Sequence, residues 1–329
     1  MGRLEANALS ATQPRVSRTV RILPALLGLV YPCVIWAGAT LSSVLVFMAL
    51  LLPVACGYLA YRIAQTRQFQ VGTGVAFFAI GCPALYSLMG GWLDFQKVLP
   101  FHANSTWLVM WTVAVVAVVI ERPARNAAVV QPRRRLAVAH GICAALIVAF
   151  AAVHLTNHVS GIFGGEVHKA FMSAARTVYR QWFIETPLIA AVVFQVLSGI
   201  TLLVNRIRRG LGDSWAALQT ASGTYMAMFF MSHLSAVARA RYLRHTDTDW
   251  KWLTGANLLT DLWSSRLLPY YILGVLALGL HIACGIRWIA LAHGKSPRDA
   301  NAAFASTFAV LALVSTIIAV ALIRGSDHG

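Results

Sequence analysis

The chain has 329 residues, of which 58% are hydrophobic and only 12% are charged. A typical soluble domain has about 25% charged residues, so the composition excludes an ordinary soluble enzyme, and its hydrophobicity excludes intrinsic disorder. The 27 Lys and Arg residues outnumber the 11 Asp and Glu residues, which gives a net charge of +16. Such an excess is typical of the cytoplasmic loops of membrane proteins, and no basic stripe with interleaved aromatic residues indicates a nucleic-acid partner.

Long stretches without a charged residue predict the membrane spans, because a helix needs about 20 apolar residues to cross a bilayer. The first stretch runs from Arg21 to Arg62, is long enough for two helices and indicates a hairpin that turns near residues 38–43. Further stretches follow along the chain at residues 67–94, 97–121, 135–166, 185–206, 213–239, 266–287 and 299–324. We therefore predict an all-α integral membrane protein with about nine transmembrane helices.

The basic residues of the short loops predict how these helices are oriented. Arg and Lys are frequent in the N-terminal arm and in every second loop after it, and they are most frequent at residues 122–135. We therefore predict a multi-pass protein of the cytoplasmic (inner) membrane, with its N-terminus in the cytoplasm and its C-terminus outside. The loop at residues 239–266 is basic as well, although this topology places it outside.

A change in composition divides the predicted membrane helices into two groups. We predict a cytoplasmic arm at residues 1–21, a four-helix membrane part at 22–121, a basic cytoplasmic linker at 122–135, a five-helix membrane domain at 136–324 and a tail at 325–329. Nine of the ten histidines follow the linker, so the chemistry is expected in the second membrane part.

Several common kinds of site have no motif in this sequence. The five cysteines all lie in apolar stretches and none forms a CxxC pair, so they do not indicate a disulfide framework or a zinc site. No GxGxxG or Walker motif indicates nucleotide binding. No charged residue lies at the middle of a predicted span, where proton-coupled and ion-coupled transporters usually carry one.

Three histidines lie well inside predicted spans: His154, His233 and His281. An imidazole in hydrocarbon needs a polar partner, so each of them indicates a functional site. At a rise of about 1.5 Å per residue, His154 lies about 9 Å and His233 about 6 Å beyond the middle of their spans, in the same direction. Two imidazoles at one depth on separate helices can bind a haem iron from both faces.

We therefore predict that His154 and His233 are the axial ligands of one haem b (heme b), and that His281 marks a candidate second haem site. The haem propionates would need cations near the outer end of the His233 helix, and Arg239 and Arg241 follow there. A bis-histidine site has no open position for a substrate, so no residue is predicted to be catalytic. His168 is expected in a solvated loop.

Three segments of the second membrane part resemble helices of one known family. The matching segments are HGICAALIVAFAAVHLTNH (140–158), SGTYMAMFFMSHLSAV (222–237) and YYILGVLALGLHIACGIRW (270–288). They are similar to the first, fourth and fifth helices of the membrane-anchor cytochrome b subunit of the succinate dehydrogenase/fumarate reductase family. The resemblance covers residues 136–292, and it implies a five-helix cytochrome b-like bundle.

The resemblance also implies site residues and partners. It implies that His154 and His233 bind the haem nearer the outside, and that the partner of His281 lies four residues before Gly199, where this chain has Gln195. In the family, the anchor transfers electrons between an iron–sulfur subunit and quinone. The implied partners are therefore flavoprotein and iron–sulfur subunits, quinone and the lipid bilayer, and the chain is expected to be an electron-transfer subunit rather than a self-sufficient enzyme.

Two alternatives remain open at this point. The chain could be a cofactor-free membrane scaffold subunit that keeps the helix packing of the family and uses its histidines as hydrogen-bond donors between helices. It could also be a transporter, or a transmembrane reductase of another haem family. A spectrum of the purified protein separates the first alternative from a cytochrome.

Overall fold

The computed structural model describes residues 16–95, 97, 99–124 and 131–326. Most of the predicted arm, the middle of the predicted linker and the last three residues of the predicted tail lie outside the described residues. Within the described ranges the chain is helical, and no strand occurs in them. This architecture confirms the prediction of an all-α protein.

The α-helices of the described part follow one another with short connections. In chain order they are α1 (Arg18–Thr40), α2 (Val44–Met48), α3 (Leu51–Ala64), α4 (Gln70–Ile80), α5 (Cys82–Gly90), α6 (Ala103–Ile120), α7 (Arg134–Ser160), α8 (Gly165–Tyr179), α9 (Trp182–Arg209), α10 (Ser214–Ala238), α11 (Trp250–Thr254), α12 (Leu267–Ala292) and α13 (Pro297–Ser326). Short π-helical turns, Gly91–Phe95 and Arg239–Leu243, extend α5 and α10.

Seven helical segments of the described chain are long and apolar enough to cross a membrane. They are Arg18–Thr40, Ser43–Ala64, Ala103–Ile120, Arg134–Phe163, Trp182–Arg209, Ser264–Ala292 and Pro297–Ser326. An eighth is added if α4 and the extended α5, which are bent by 69° relative to each other, form one span. Length and composition therefore support a multi-pass membrane protein, but they do not support the predicted count of nine.

The helix missing from that count is α10, the predicted seventh span. Its length matches that of the others, but it carries many polar residues, and Ser222, Thr224 and Ser232 among them are buried inside the bundle. Ser222 and Thr224 donate their hydroxyl groups to carbonyl oxygens of the preceding turn; the Thr224 hydroxyl, for example, donates to the carbonyl oxygen of Thr220 at 2.8 Å. The low hydropathy of α10 therefore reflects a central position in the fold, because its polar residues face protein.

Carboxylates fix the starts of two helices, α10 and α4. The Asp213 side chain accepts the backbone N–H of Ala216 at 2.8 Å and caps α10. Glu121, at the end of α6, accepts the N–H groups of Val71 and Gly72 at 2.7 and 2.9 Å and caps α4. A carboxylate at a helix N-terminus satisfies free N–H groups and complements the helix dipole, so these contacts set where α10 and α4 begin.

One hydrophobic core joins the two predicted membrane parts. Trp107 and Trp111 of α6 lie fully buried, and the same cluster includes Tyr225 of α10 and Leu273 of α12. The ring of Trp111 lies against Gly28 of α1, where an added Cβ would be 2.6 Å from the ring carbons. The first helices therefore pack directly on the helices that carry the predicted site.

Basic loops meet at one end of the bundle, which we call the basic end. The Gln65 side-chain amide donates to the carbonyl oxygen of Gly212 at 3.1 Å, and the Asn205 amide donates to that of Gln131 at 3.0 Å. The helix ends and loops that carry Arg62, Arg67, the arginines of residues 133–135 and those of residues 206–209 therefore lie together. We call the other end, which holds the loops around residues 95, 180 and 247, the far end.

Candidate functional site

The helices α7, α10 and α12 bring histidine rings together as two pairs. In the first pair, His154 of α7 faces His233 of α10, with ring centroids 5.9 Å apart and an interplanar angle of 71°. In the second pair, His140 of α7 faces His281 of α12, with centroids 6.4 Å apart and an interplanar angle of 78°. The three predicted site histidines thus all lie in ring pairs that link separate helices.

Aromatic rings hold the first pair in place. Phe150 stacks on His154 with centroids 5.6 Å apart, and Phe229 stacks on His233 with centroids 5.5 Å apart and nearly parallel planes. His158 follows one turn after His154, and the Nε2 atoms of these two rings are 3.3 Å apart. The stacking fixes the orientation of both imidazoles.

The His233 ring makes no hydrogen bond to another described residue. It is half-buried and contacts Phe229 and His154, yet among the described residues no group hydrogen-bonds to either of its nitrogens. The ring borders a cavity that Ser232 and Arg239 also line, so its nitrogens can be reached from that cavity. The first pair is therefore incomplete as a hydrogen-bonded structure, and it is open to a ligand.

The second pair is more fully hydrogen-bonded. In His140, Nδ1 lies 2.8 Å from the Ser198 hydroxyl oxygen and Nε2 lies 2.8 Å from the amide nitrogen of Gln195. In His281, Nδ1 lies 3.1 Å from the carbonyl oxygen of Gln219. Because a carbonyl only accepts, Nδ1 of His281 carries the proton and Nε2 keeps its lone pair. His281 thus retains one free ligand atom, whereas both nitrogens of His140 are engaged.

The pairing of His140 was not predicted. The resemblance placed the partner of His281 at position 195, and Gln195 does reach this level of the bundle, but it contacts His140. His140 and His154 are separated by fourteen residues, which puts them on nearly the same face of α7 and about 21 Å apart along its axis. This spacing is the sequence signal for two stacked histidine pairs.

The backbone leaves room around these rings. Helix α7 packs closely on α9 and α13, but its backbone makes little or no close approach to those of α10 and α12. The histidine side chains bridge that separation. At Gly223 of α10 an added Cβ would lie 2.8 Å from Cε1 of His281, so the glycine allows the imidazole to approach the backbone of α10.

The two arginines predicted to hold propionates lie in different environments. Arg241 forms an ion pair with Glu185 of α9, so its charge is already compensated. Arg239 is only 7% exposed, contacts the Ser235 hydroxyl oxygen at 3.2 Å and stacks over the ring of Trp92. Of the two, only Arg239 is free to bind an additional anion.

His168 corrects one sequence expectation. It was expected in a solvated loop, but it lies in α8 and is 1% exposed, between His158 and the ring of Trp250. Burial, and to a smaller extent the Arg176 guanidinium, lowers the pKa of His168 to about 4, so its imidazole is neutral at neutral pH. The sequence missed this position because α8 is amphipathic and buries His168 on its inner face.

Comparisons with known proteins add no functional assignment. The chain matches no protein-family model, and no curated protein or solved structure is significantly similar to it. No group of three or more His, Cys, Asp or Glu side chains in the described ranges could hold a metal ion. The resemblance to the cytochrome b anchor and the assignment of haem ligands therefore stay predictions, to be judged on the two histidine pairs.

Proposed function

We propose that the chain is a membrane-embedded b-type cytochrome, with one haem b bound between His154 and His233. It would transfer electrons between a partner redox subunit and quinone or another membrane carrier, as the resemblance to the succinate dehydrogenase/fumarate reductase anchor implies. The observation that carries the proposal is the His233 imidazole, which faces His154 across two helices and has no hydrogen-bond partner among the described residues.

The distance within the first pair fits one shared iron. An imidazole–metal bond is about 2 Å long, so two imidazoles on opposite sides of one metal have ring centroids roughly 6 Å apart. The first pair has centroids 5.9 Å apart, and His233 offers free nitrogen atoms. The second pair has a similar distance, but His140 would first have to give up its hydrogen bond from Gln195, whereas His154 would give up only its 3.3 Å contact with the His158 imidazole. The first pair is therefore the better haem site, and His281 remains the candidate for a second one.

The surrounding residues have defined roles in this proposal. A bound haem supplies reversible one-electron chemistry. His154 and His233 would hold the iron and leave no coordination position for a substrate, which favours electron transfer over catalysis. The rings of Phe150 and Phe229 stack on the two ligands and orient them. Arg239 is the cation that lies nearest along α10 to interact with a propionate.

The proposed topology has nine spans, with α4 and α5 as one bent span and α10 as a central one. The N-terminus would lie in the cytoplasm and the C-terminus outside, in the cytoplasmic membrane of the cell. This orientation is supported by the basic end, where arginine-bearing loops gather. Lipid contact is supported by α7, whose Val138 and Ile142 side chains are 63% and 70% exposed.

A cofactor-free scaffold is the second candidate, and a specific set of contacts favours it. His140 bonds to Gln195 and Ser198 on α9, and His281 bonds to Gln219 on α10. Such bonds between helices stabilise packing inside a membrane without any cofactor. This candidate explains the second pair, but it does not explain why His233 lacks a hydrogen bond.

The spectrum of the purified protein tests the two candidates against each other. We expect the full-length chain, purified in mild detergent, to show the narrow α band of a low-spin b-type haem in a reduced-minus-oxidised difference spectrum. Bis-histidine ligation also predicts no change when carbon monoxide is added to the reduced protein, because both axial positions are filled. A colourless, folded protein that takes up no added hemin would contradict the cytochrome proposal and favour the scaffold.

A further inference from the structure

A cavity of about 340 Å³ lies at the far end of the bundle, between the two membrane parts. Gly91 and Phe95 of the first part form one wall, and the start of α12 with the end of α10 forms the other. This volume lies within the range of about 300–1,000 Å³ that is usual for small-molecule sites. His233 also lines the cavity, whereas none of the other described histidines does.

Three arginines line this cavity: Arg239, Arg244 and Arg266. Arg239 and Arg266 are each only 7% exposed. Nε of Arg266 is buried and has no hydrogen-bond partner among the described residues, and its Nη1 contacts the carbonyl oxygen of Trp263. Within the described ranges, none of the three forms an ion pair with a carboxylate.

The missing counter-ions are not explained by a shortage of acids at this end. Arg176 pairs with Asp247 at 2.6 Å, and Arg241 pairs with Glu185. Asp261 lies shortly before Arg266 in the chain, but its Oδ1 accepts the backbone N–H groups of Trp263 and Ser264. Neighbouring arginines thus receive carboxylates, and the cavity arginines do not.

The walls of the cavity determine what kind of molecule fits. The guanidinium of Arg266 lies 3.3 Å above the Trp263 ring. Trp252, Tyr270 and Tyr271 supply further aromatic surface. A neutral molecule, such as a quinone, would leave two buried positive charges without compensation, which is costly in a medium of low dielectric. Guanidinium groups match the paired oxygens of carboxylates and phosphates.

We propose that this cavity binds an organic oxyanion, that is, a carboxylate or phosphate on an apolar or aromatic body, with its charge compensated by Arg239 and Arg266. The oxyanion could come from the head group of an anionic phospholipid or from a soluble organic acid. The proposal does not require haem, but if haem binds as proposed, a propionate would share Arg239 and the oxyanion would be held mainly by Arg266.

The soluble source is tested by thermal unfolding of the full-length protein in neutral detergent, followed by the fluorescence of its tryptophans. Benzoate is expected to raise the melting temperature in a saturable way, whereas benzamide, its neutral analogue, does not. The Arg266→Gln and Arg239→Gln variants should bind benzoate at least about tenfold more weakly, which corresponds to about 1.4 kcal/mol. Arg208→Gln, which removes an exposed cation at the basic end, should bind like the original protein.

The lipid source is tested with the same variants in nanodiscs. If a phospholipid head group is the ligand, phosphatidylglycerol raises the melting temperature relative to phosphatidylcholine, and Arg266→Gln removes that difference while Arg208→Gln keeps it. A response to either oxyanion supports the proposal and identifies the source. The absence of any oxyanion effect in the original protein, or equal responses of Arg266→Gln and Arg208→Gln, would overturn it.

The haem spectrum of the same samples separates this proposal from the cytochrome proposal. Arg266→Gln is expected to keep the haem bands while it loses the oxyanion response. If both were lost together, the cavity would be the propionate end of the haem site, and a separate oxyanion site would be wrong. A colourless protein that still responds to oxyanions would contradict the cytochrome proposal alone.

Discussion

The His233→Ala variant is expected to lose the low-spin haem spectrum and to purify with haem at background level. The His233 imidazole makes no hydrogen bond to a described residue, and its ring centroid lies 5.9 Å from that of His154. The described residues offer no replacement nitrogen at that position. His154→Ala should show the same loss, unless the neighbouring His158 imidazole takes over as ligand, which would give a shifted low-spin band. The measurement is the reduced-minus-oxidised difference spectrum of each variant at equal protein concentration.

The matched control for this experiment is His281→Ala. It removes an imidazole from an equally interior position, but from the second pair, which has its own hydrogen bonds to Gln219 and Ser222. We expect His281→Ala to keep the haem spectrum of the first site. An unchanged spectrum in His233→Ala, or its loss in His281→Ala alone, would show that the ligands have been assigned to the wrong pair.

The Trp111→Ala variant is expected to lower the free energy of unfolding by about 3–5 kcal/mol, as large-to-small changes of buried aromatic residues do. The Trp111 ring is fully buried against Gly28 of α1. Gly28→Ala alone should also destabilise the protein, because its new Cβ would overlap the ring. In the Trp111→Ala background the same methyl group enters vacant space. We therefore expect the double variant to lose less unfolding free energy than the sum of the two single variants, by about 1 kcal/mol or more.

Reversible unfolding in mixed detergent micelles, followed by circular dichroism, measures these free energies. Trp36→Ala is the control, because Trp36 lies on the same helix as Gly28 but is 59% exposed, and its loss should change stability by about 0.5 kcal/mol or less. Additive effects of Gly28→Ala and Trp111→Ala would mean that α1 and α6 do not pack through these two residues.

The fold class could be predicted from the sequence because bilayer thickness imposes a length on every apolar helix. The count of spans was harder to predict. Charge-free stretches do not distinguish a helix that faces lipid from one that faces protein, and α10 shows the difference, because its Ser222, Thr224 and Ser232 are buried. The bend between α4 and α5 was also missed, although Pro83 cannot donate the N–H that a continuous helix needs at that position.

The sequence predicted the contact of a site residue correctly only where its depth along the helix was enough to identify its partner. His154 and His233 were placed at one level from the helical rise alone, and their rings do face each other. The contact of His140 with His281 depends on the rotation of α7 relative to α12, which a single sequence does not specify. Which loops meet at the far end also decides that Arg241 forms an ion pair with Glu185, and that Nε of Arg266 has no hydrogen-bond partner among the described residues.

The ratio of haem to polypeptide is the most direct test of the central claim. The haem b content of the purified full-length chain is measured as the pyridine haemochrome, and the protein by quantitative amino-acid analysis. We predict one haem b per chain, retained in His281→Ala and absent from His233→Ala. A chain without haem would contradict the cytochrome proposal, and two haems per chain would contradict the prediction of a single haem and indicate that the second pair binds one as well.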